Sequence, residues 1–221
     1  MKLFDVRNVP SGVDAALARA DNPRHRHMLK NYRRHALLEV SGFWEDILVP
    51  AMIVDKPLYR ISERGQTTVC NGMDEVRAFY SKVVGESMNV FGALEEEVAV
   101  SDYGIFIEAV FAQILCGDDP ALAHEDTDPQ GTYQVSHNFA AAWPYHEGRL
   151  YGEFIYEDFG SWRVDEVDAS TLTTPDQARA ILAPYLAESP LSEIEKGLTL
   201  FAGGLCQSNP AEGSAENPGT A

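Results

Sequence analysis

Three side chains able to move protons fall at helical spacing in the segment RHRHMLKNYRRHALLEV: Tyr32, His35 and Glu39, at i, i+3 and i+7. That spacing lays a phenol, an imidazole and a carboxylate along one face of a helix. An imidazole with a reference pKa of about 6.5 can give or take a proton near neutrality, so His35 reads as an acid or a base. The plainer reading is a helix histidine hydrogen-bonded to Glu39. A second set lies in EGRLYGEFIYED, where strand alternation gives Glu153, Ile155 and Glu157 a common face. A glutamate turned into an apolar interior has its pKa raised and can serve as general acid or base, whereas one paired at a subunit contact serves structure alone.

Lys56 and Tyr59 stand three apart in DKPLYRIS. A desolvated lysine lowers the pKa of a nearby phenol or stabilises a developing phenolate, although solvation at the surface is the ordinary state of a lysine. Tyr80 closes the string AFY and either orients another hydroxyl or packs; Asn138 and Trp143 shape a pocket, because neither titrates usefully. The catalytic candidates are therefore His35, Glu153, Tyr59 and Lys56, and the substrate-binding candidates Tyr32, Tyr80, Asn138 and Trp143.

Other constellations are discounted. His25-x-His27 has no carboxylate or cysteine at metal-ligand spacing, and His124-Glu125-Asp126 has no second histidine nearby, so no metal is expected. Phosphate-cradling and nucleophile-elbow motifs are absent from the sequence, and no cofactor is expected. The basic run Arg24, Arg26, Lys30, Arg33 and Arg34 reads as a solvated or subunit-contacting helix face. A formal net charge of −17 repels phosphate backbones and anionic lipid, which argues against nucleic acid or membrane as a partner. Cys70, Cys116 and Cys206 are odd in number and far apart, and the chain shows neither a signal sequence nor an apolar run near the ~20 residues of a membrane helix. A cytoplasmic protein is the expectation.

The elements that must position these groups follow from periodicity. With 221 residues and 45% hydrophobic content, one core with appended ends is expected. Residues 1–22 read as an N-terminal arm of low value to the fold. The stretch 23–50 predicts two helices bent near Gly42, with Leu37, Val40, Trp44, Ile47 and Leu48 at helical spacing. A strand at 57–62 and a third helix at 71–85 follow, and then two hairpins, 94–115 across SDYG and 132–159 across Tyr145-His146-Glu147-Gly148. The predicted α+β domain covers 23–165. A helical extension covers 166–207, opening at Thr174-Pro175, and the tail 208–221 has almost nothing to bury and is expected to be disordered.

This order, with the strings MIVDKPLYRI, NGMDEVRAFY and EGRLYGEFIYED, resembles the SnoaL-like (nuclear transport factor 2-like) superfamily over residues 25–160. The resemblance implies a cone in which a curved antiparallel sheet wraps N-terminal helices, with a small-molecule pocket at its mouth near Lys56 and Tyr59. Matching Gly42 to the glycine between the first two family helices puts His35 near the catalytic tyrosine of the steroid isomerases, and aligning the Glu147-Gly148 turn points Glu153 inward. Two departures weigh against an ordinary steroid isomerase. Lys56 stands where the catalytic aspartate precedes the proline, with Asp55 one residue earlier, and a small residue near Ala140 replaces the strand-borne acid.

A narrower similarity, in length and pocket type, is to the cofactor-free diarylpropane lyases of lignin-dimer catabolism, which release formaldehyde. Together these readings lead to the expectation of a cofactor-independent lyase acting on an apolar aromatic alcohol by acid–base dehydration or deformylation. The alternatives are an isomerase or epoxide hydrolase of the same fold, and a non-catalytic ligand-binding or assembly module. Sheet faces of this kind suggest a homodimer or homotrimer.

Overall fold

The structure is a computed structural model that describes residues 1–63 and 65–202. In chain order it has α1 (Ser11–Arg19), α2 (Pro23–Val40), β1 (Ile53–Glu63), β2 (Gln66–Asn71), α3 (Met73–Gly85) and β3 (Phe91–Val100). Then come β4 (Gly104–Cys116), β5 (Thr132–His146), β6 (Arg149–Glu166), α4 (Pro175–Ala187) and α5 (Leu191–Gly197). The six strands form one sheet in the order β2-β1-β6-β5-β4-β3, antiparallel throughout except where β1 runs parallel to β6. This is an α+β fold with its N-terminal helices packed on a mostly antiparallel sheet.

α2 starts where Asn22 accepts a hydrogen bond from the Arg24 amide and Pro23 takes the first helical position, and it ends where Gly42 adopts a φ of +76°. The second helix expected after Gly42 is replaced by a 3₁₀ turn, Trp44–Asp46. Its apolar spacing still has a physical basis, because Ile47 and Leu48 are buried from the turn that follows. β2 escaped the sequence reading for the opposite reason: of its six residues only Cys70 is buried, so this edge strand lacks the alternation that marks a half-buried one.

Register shifts interrupt the β5–β6 pairing between Ser136 and Asn138 and between Ala142 and Tyr145, and the β1–β6 pairing between Ile53 and Leu58. Such bulges bend and twist strands. α2 lies across the sheet and buries Leu29, Tyr32 and Leu38 in a core shared with Tyr59, Val76, Tyr80, Ile105, Ile107 and Trp143.

The N-terminal segment belongs to the packed body, contrary to its reading as an arm of low fold value. Val13 on α1 joins the main core, while Phe4 and Val6 form a second cluster with Leu37, Ala178 and Leu182. Part of the basic run on α2 is likewise packed: Arg33 and Arg34 are buried, while Arg24 stays exposed. Arg26 donates to the carbonyls of Leu17 at 2.5 Å and Ala20 at 2.9 Å, satisfying the open end of α1. Arg33 pairs with Asp14 at 2.6 Å and also donates to Tyr185 O at 3.1 Å and to the Ser189 hydroxyl, and Arg34 donates to Ser189 O at 2.6 Å. One helix face thus fastens both chain ends.

α4 opens at Thr174 with a reciprocal capping box to Gln177, as Thr174-Pro175 predicts. Residues 203–221, which include Cys206 and the expected disordered tail, lie outside the described residues. Among the described residues no helix is long and apolar enough to cross a membrane, and Cys70 and Cys116 are free thiols. Replacing Arg33 by alanine strips the Asp14 carboxylate and two acceptors of their donor at once. We expect Arg33→Ala to lower stability by about 2 kcal/mol, measured as a fall in the urea midpoint.

Candidate active site

Four elements aim titratable side chains at one point. On β1, Tyr59 is buried while its neighbour Arg60 is exposed, and β1–β6 register sets Tyr59 beside Glu153. On α3, Val76 and Tyr80 share the buried face at i and i+4. His35 and Glu39 reach the same place from α2. His35, Tyr59 and Tyr80 are each 0% exposed and Glu153 is 3% exposed.

The Tyr80 hydroxyl is the hub. It donates to Glu153 Oε1 at 2.9 Å and lies 2.8 Å from His35 Nε2 and 3.2 Å from the Tyr59 hydroxyl. His35 Nε2 is 3.3 Å from Glu153 Oε1 and 3.7 Å from Glu39 Oε2. Proton counting restricts the states. A phenol owns one proton, so when Tyr80 gives it to Glu153 its oxygen can only accept from His35, which then carries its hydrogen on Nε2 and a lone pair on Nδ1.

Burial decides the charges. Desolvation holds the His35 imidazole down at about 3, so it is neutral. The same cause raises Glu153 to about 7 despite hydrogen bonds from Tyr59 and Tyr80 that favour the carboxylate. Glu39 is pushed well above the usual carboxylate range by burial and then by the charge of Glu153. The 3.3 Å approach of His35 to Glu153 is therefore a contact between uncharged groups from about pH 3 to about pH 7, and no ion pair, despite its length. Burial also keeps Tyr59 and Tyr80 protonated. The cluster holds a neutral base beside a carboxyl that is protonated near neutrality, the pair of states that acid–base chemistry needs.

Of the residues singled out from the sequence, His35, Glu153, Tyr59 and Tyr80 are brought into this hydrogen-bonded group. Trp143 packs against it, 4.6 Å from His35 between ring centres. Tyr32 packs edge-on against Trp143 but turns its hydroxyl away, donating to Glu96 Oε1 at 2.5 Å. Two expectations fail. Lys56 is exposed and outside the group, because the alternation that buries Pro57, Tyr59 and Ile61 puts Lys56 on the other face of the strand. Asn138 is exposed beside the Ser136–Asn138 shift, and its backbone N–H donates to Ser161 Oγ at 2.7 Å.

Glu39, which shares a helix face with Tyr32 and His35 in the sequence but is not among the catalytic candidates, is a member of the cluster; the i, i+4 spacing to His35 is its signal. Glu96, raised by burial beside Tyr32, was missed because strand alternation over three consecutive glutamates does not say which is covered. No group of three or more metal-ligating side chains occurs among the described residues.

The cluster is closed to solvent, and the rings of Trp44, Phe79 and Trp143 pack against it. Two clefts of about 500 and 440 Å³ lie elsewhere, along α2 and α5, the first bounded by Asp14, Arg33 and Glu193 and the second by Pro23, His27 and Lys196. Their walls are surface ion pairs and helix ends, and none of the four hydrogen-bonded residues lines either of them.

No protein-family model and no curated protein matches the chain. It is similar to the solved structure of an NTF2-like protein from Anabaena variabilis, at 8% identity and a TM-score of 0.48, over 64% of this chain and 95% of that one. It is also similar to a protein from Jannaschia assigned as a SnoaL-like polyketide cyclase, at 12% identity and a TM-score of 0.47, over 63% and 90%. A third similarity is to the epoxide hydrolase/cyclase-like enzyme SalBIII of pyran ring formation in salinomycin, at 14% and 0.40, over 59% and 90%. At such scores these likenesses transfer no activity or residue role to this chain. The architecture rests on the elements described above.

Linkage gives the cluster a pH signature. Glu153, raised in the folded chain, contributes stability that is complete below about pH 4.5 and is lost as pH rises through about 7; His35, lowered, contributes stability present above about 6.5 and lost as pH falls toward about 3. Glu153→Gln removes the first contribution. We expect this variant to gain on the parent by about 3 kcal/mol as pH rises from about 4.5 to 7.5, in paired urea titrations. A pH-independent difference would mean that Glu153 ionises normally.

Proposed function

We propose that this protein is a cofactor-free acid–base enzyme, a lyase that acts on a small apolar aromatic alcohol. One observation carries the reading: a neutral imidazole and a protonated-at-neutrality carboxyl lie 3.3 Å apart, joined by the Tyr80 hydroxyl, in an interior otherwise made of apolar and aromatic groups. Packing alone has no use for such a group, since burying a carboxyl, an imidazole and two phenols costs more than burying apolar side chains of equal size. Perturbed titratable groups that converge in this way are characteristic of sites that transfer protons.

For a 1,2-diaryl-1,3-propanediol with a para-hydroxyl, protonated Glu153 gives its proton to the benzylic hydroxyl. The C–O bond breaks with its electron pair on oxygen, water leaves, and the para-oxygen stabilises the cation as a protonated quinone methide. Glu153 is now a carboxylate 3.3 Å from His35, and this charge raises the imidazole's proton affinity. His35 then takes the proton of the primary hydroxyl. The adjacent C–C bond breaks, its electrons form the new C=C bond, and formaldehyde departs. Diol becomes stilbene, formaldehyde and water, and the proton on His35 returns to Glu153 to restore the starting state. Tyr59 and Tyr80 steady the carboxylate in between.

A second reading, a non-catalytic ligand-binding or assembly module, is favoured by the closed interior. Activity separates the two. With a para-phenolic diarylpropane diol as substrate, we expect stilbene absorbance and formaldehyde to appear together, and folded His35→Ala and Glu153→Gln to lower kcat by about 100-fold or more. In the parent, kcat/KM should fall as pH rises past about 7, where Glu153 loses its proton. Wild-type rates in both variants would leave the cluster without a catalytic role.

We also propose a homo-oligomer. Val69 on β2, Phe106 on β4, and Tyr151 and Tyr156 on β6 are large apolar groups left exposed on the sheet. Light scattering at micromolar concentration should give a dimer or trimer mass, and Phe106→Glu should shift it toward monomer.

A further inference from the structure

Eight buried side-chain polar atoms find no hydrogen-bond partner among the described residues, and two of them, His35 Nδ1 and Trp143 Nε1, sit on rings in contact at the proposed active site. An unpaired buried polar atom costs about 1–3 kcal/mol, so two on touching rings call for a common explanation. We infer that these two nitrogens together bind one alcohol group of the ligand, which makes Trp143 the residue that positions the hydroxyl from which His35 takes its proton.

The two atoms are complementary. Indole Nε1 is a donor only, and His35 Nδ1 carries the lone pair when Nε2 holds the hydrogen facing Tyr80. A hydroxyl has the groups to accept from the first and donate to the second. A carbonyl would satisfy only Trp143, and an ammonium only His35, so the pair selects alcohols.

The backbone aims the indole at this place. The β5–β6 ladder breaks between the pairs Ala142 with Phe154 and Tyr145 with Leu150, so Trp143 and Pro144 face Tyr151, Gly152 and Glu153 across a bulge. Bulges re-aim side chains, and Pro144 has no amide to restore the ladder. Trp143 and Glu153 therefore project from the two sides of one interruption. The indole is 6% exposed and held between His35 at 4.6 Å and Tyr32 at 4.8 Å, both on α2. It cannot swing out to water without opening the core, so its N–H stays committed to the site.

The inference deepens the proposed function and rests on it for the role of His35, but its test needs no turnover. The probes are 2,3-diphenylpropan-1-ol and 1,2-diphenylpropane, which differ by the primary hydroxyl alone and lack a benzylic leaving group. Their dissociation constants are measured by calorimetry on the full chain and on Trp143→Phe, which keeps an aromatic ring and loses the N–H. We expect the parent to bind the alcohol about tenfold more tightly than the hydrocarbon, and Trp143→Phe to reduce that ratio to about twofold or less by weakening the alcohol alone. A merely structural indole would shift both ligands together.

Equal weakening of both, an unchanged ratio, or no binding of either probe to the parent would each overturn the inference. Discrimination that persists in a protein without lyase activity would remove the proposed reaction and leave the alcohol site standing. Turnover with an unchanged ratio would do the reverse.

Discussion

The fold is arranged around one hydroxyl. The Tyr80 hydroxyl is the atom that His35, Tyr59 and Glu153 all approach, and through it α2, β1, α3 and β6 meet at a polar point inside the core. With water excluded, a net charge at any of these positions would be costly. The protonation states follow from that cost: the imidazole gives up its proton early and the carboxyl keeps one late. The opposite shifts leave a base and an acid ready side by side near neutral pH.

The rest of the chain keeps that point dry. Aromatic rings surround it on three sides, with Trp143 against His35, Trp44 stacked on Tyr80, and Phe79 against both tyrosines. α1, α4 and α5 are fastened to the back of α2 by arginines that reach helix-end carbonyls and Asp14, so the helix that carries His35 and Glu39 is held from outside as well as from within. Irregular strand pairing does the aiming. One interruption of the β5–β6 pairing brings Trp143 opposite Glu153, and Asn138 stands exposed beside another.

Closure and chemistry are compatible in a site of this kind. Buried proton-transfer groups gain their shifted affinities only while water is excluded, and admission of an apolar ligand preserves that condition better than an open, hydrated pocket does. A ligand seated against these rings would share the same low-dielectric surroundings. Its hydroxyls would be the groups best placed to exchange protons with the cluster.

Much of this was legible from residue order alone. Helical spacing on 23–40 put Tyr32, His35 and Glu39 on one side, strand alternation tied Glu153 to Ile155 and Glu157, and Thr174-Pro175 marked the start of α4. These are short-range matters, settled by geometry that repeats within a few residues. Their limits are also local. Alternation says which side chains share a face and not which face is inside, and one register slip reverses the answer. Burial of Arg33 and Arg34, the partnership of Glu39 with Glu153, and the loss of Asn138 from the site were decided only when distant segments packed, because each depends on a bulge or on a neighbour more than a hundred residues away. Lys56, three positions from Tyr59 on one strand, falls on the opposite face by alternation alone.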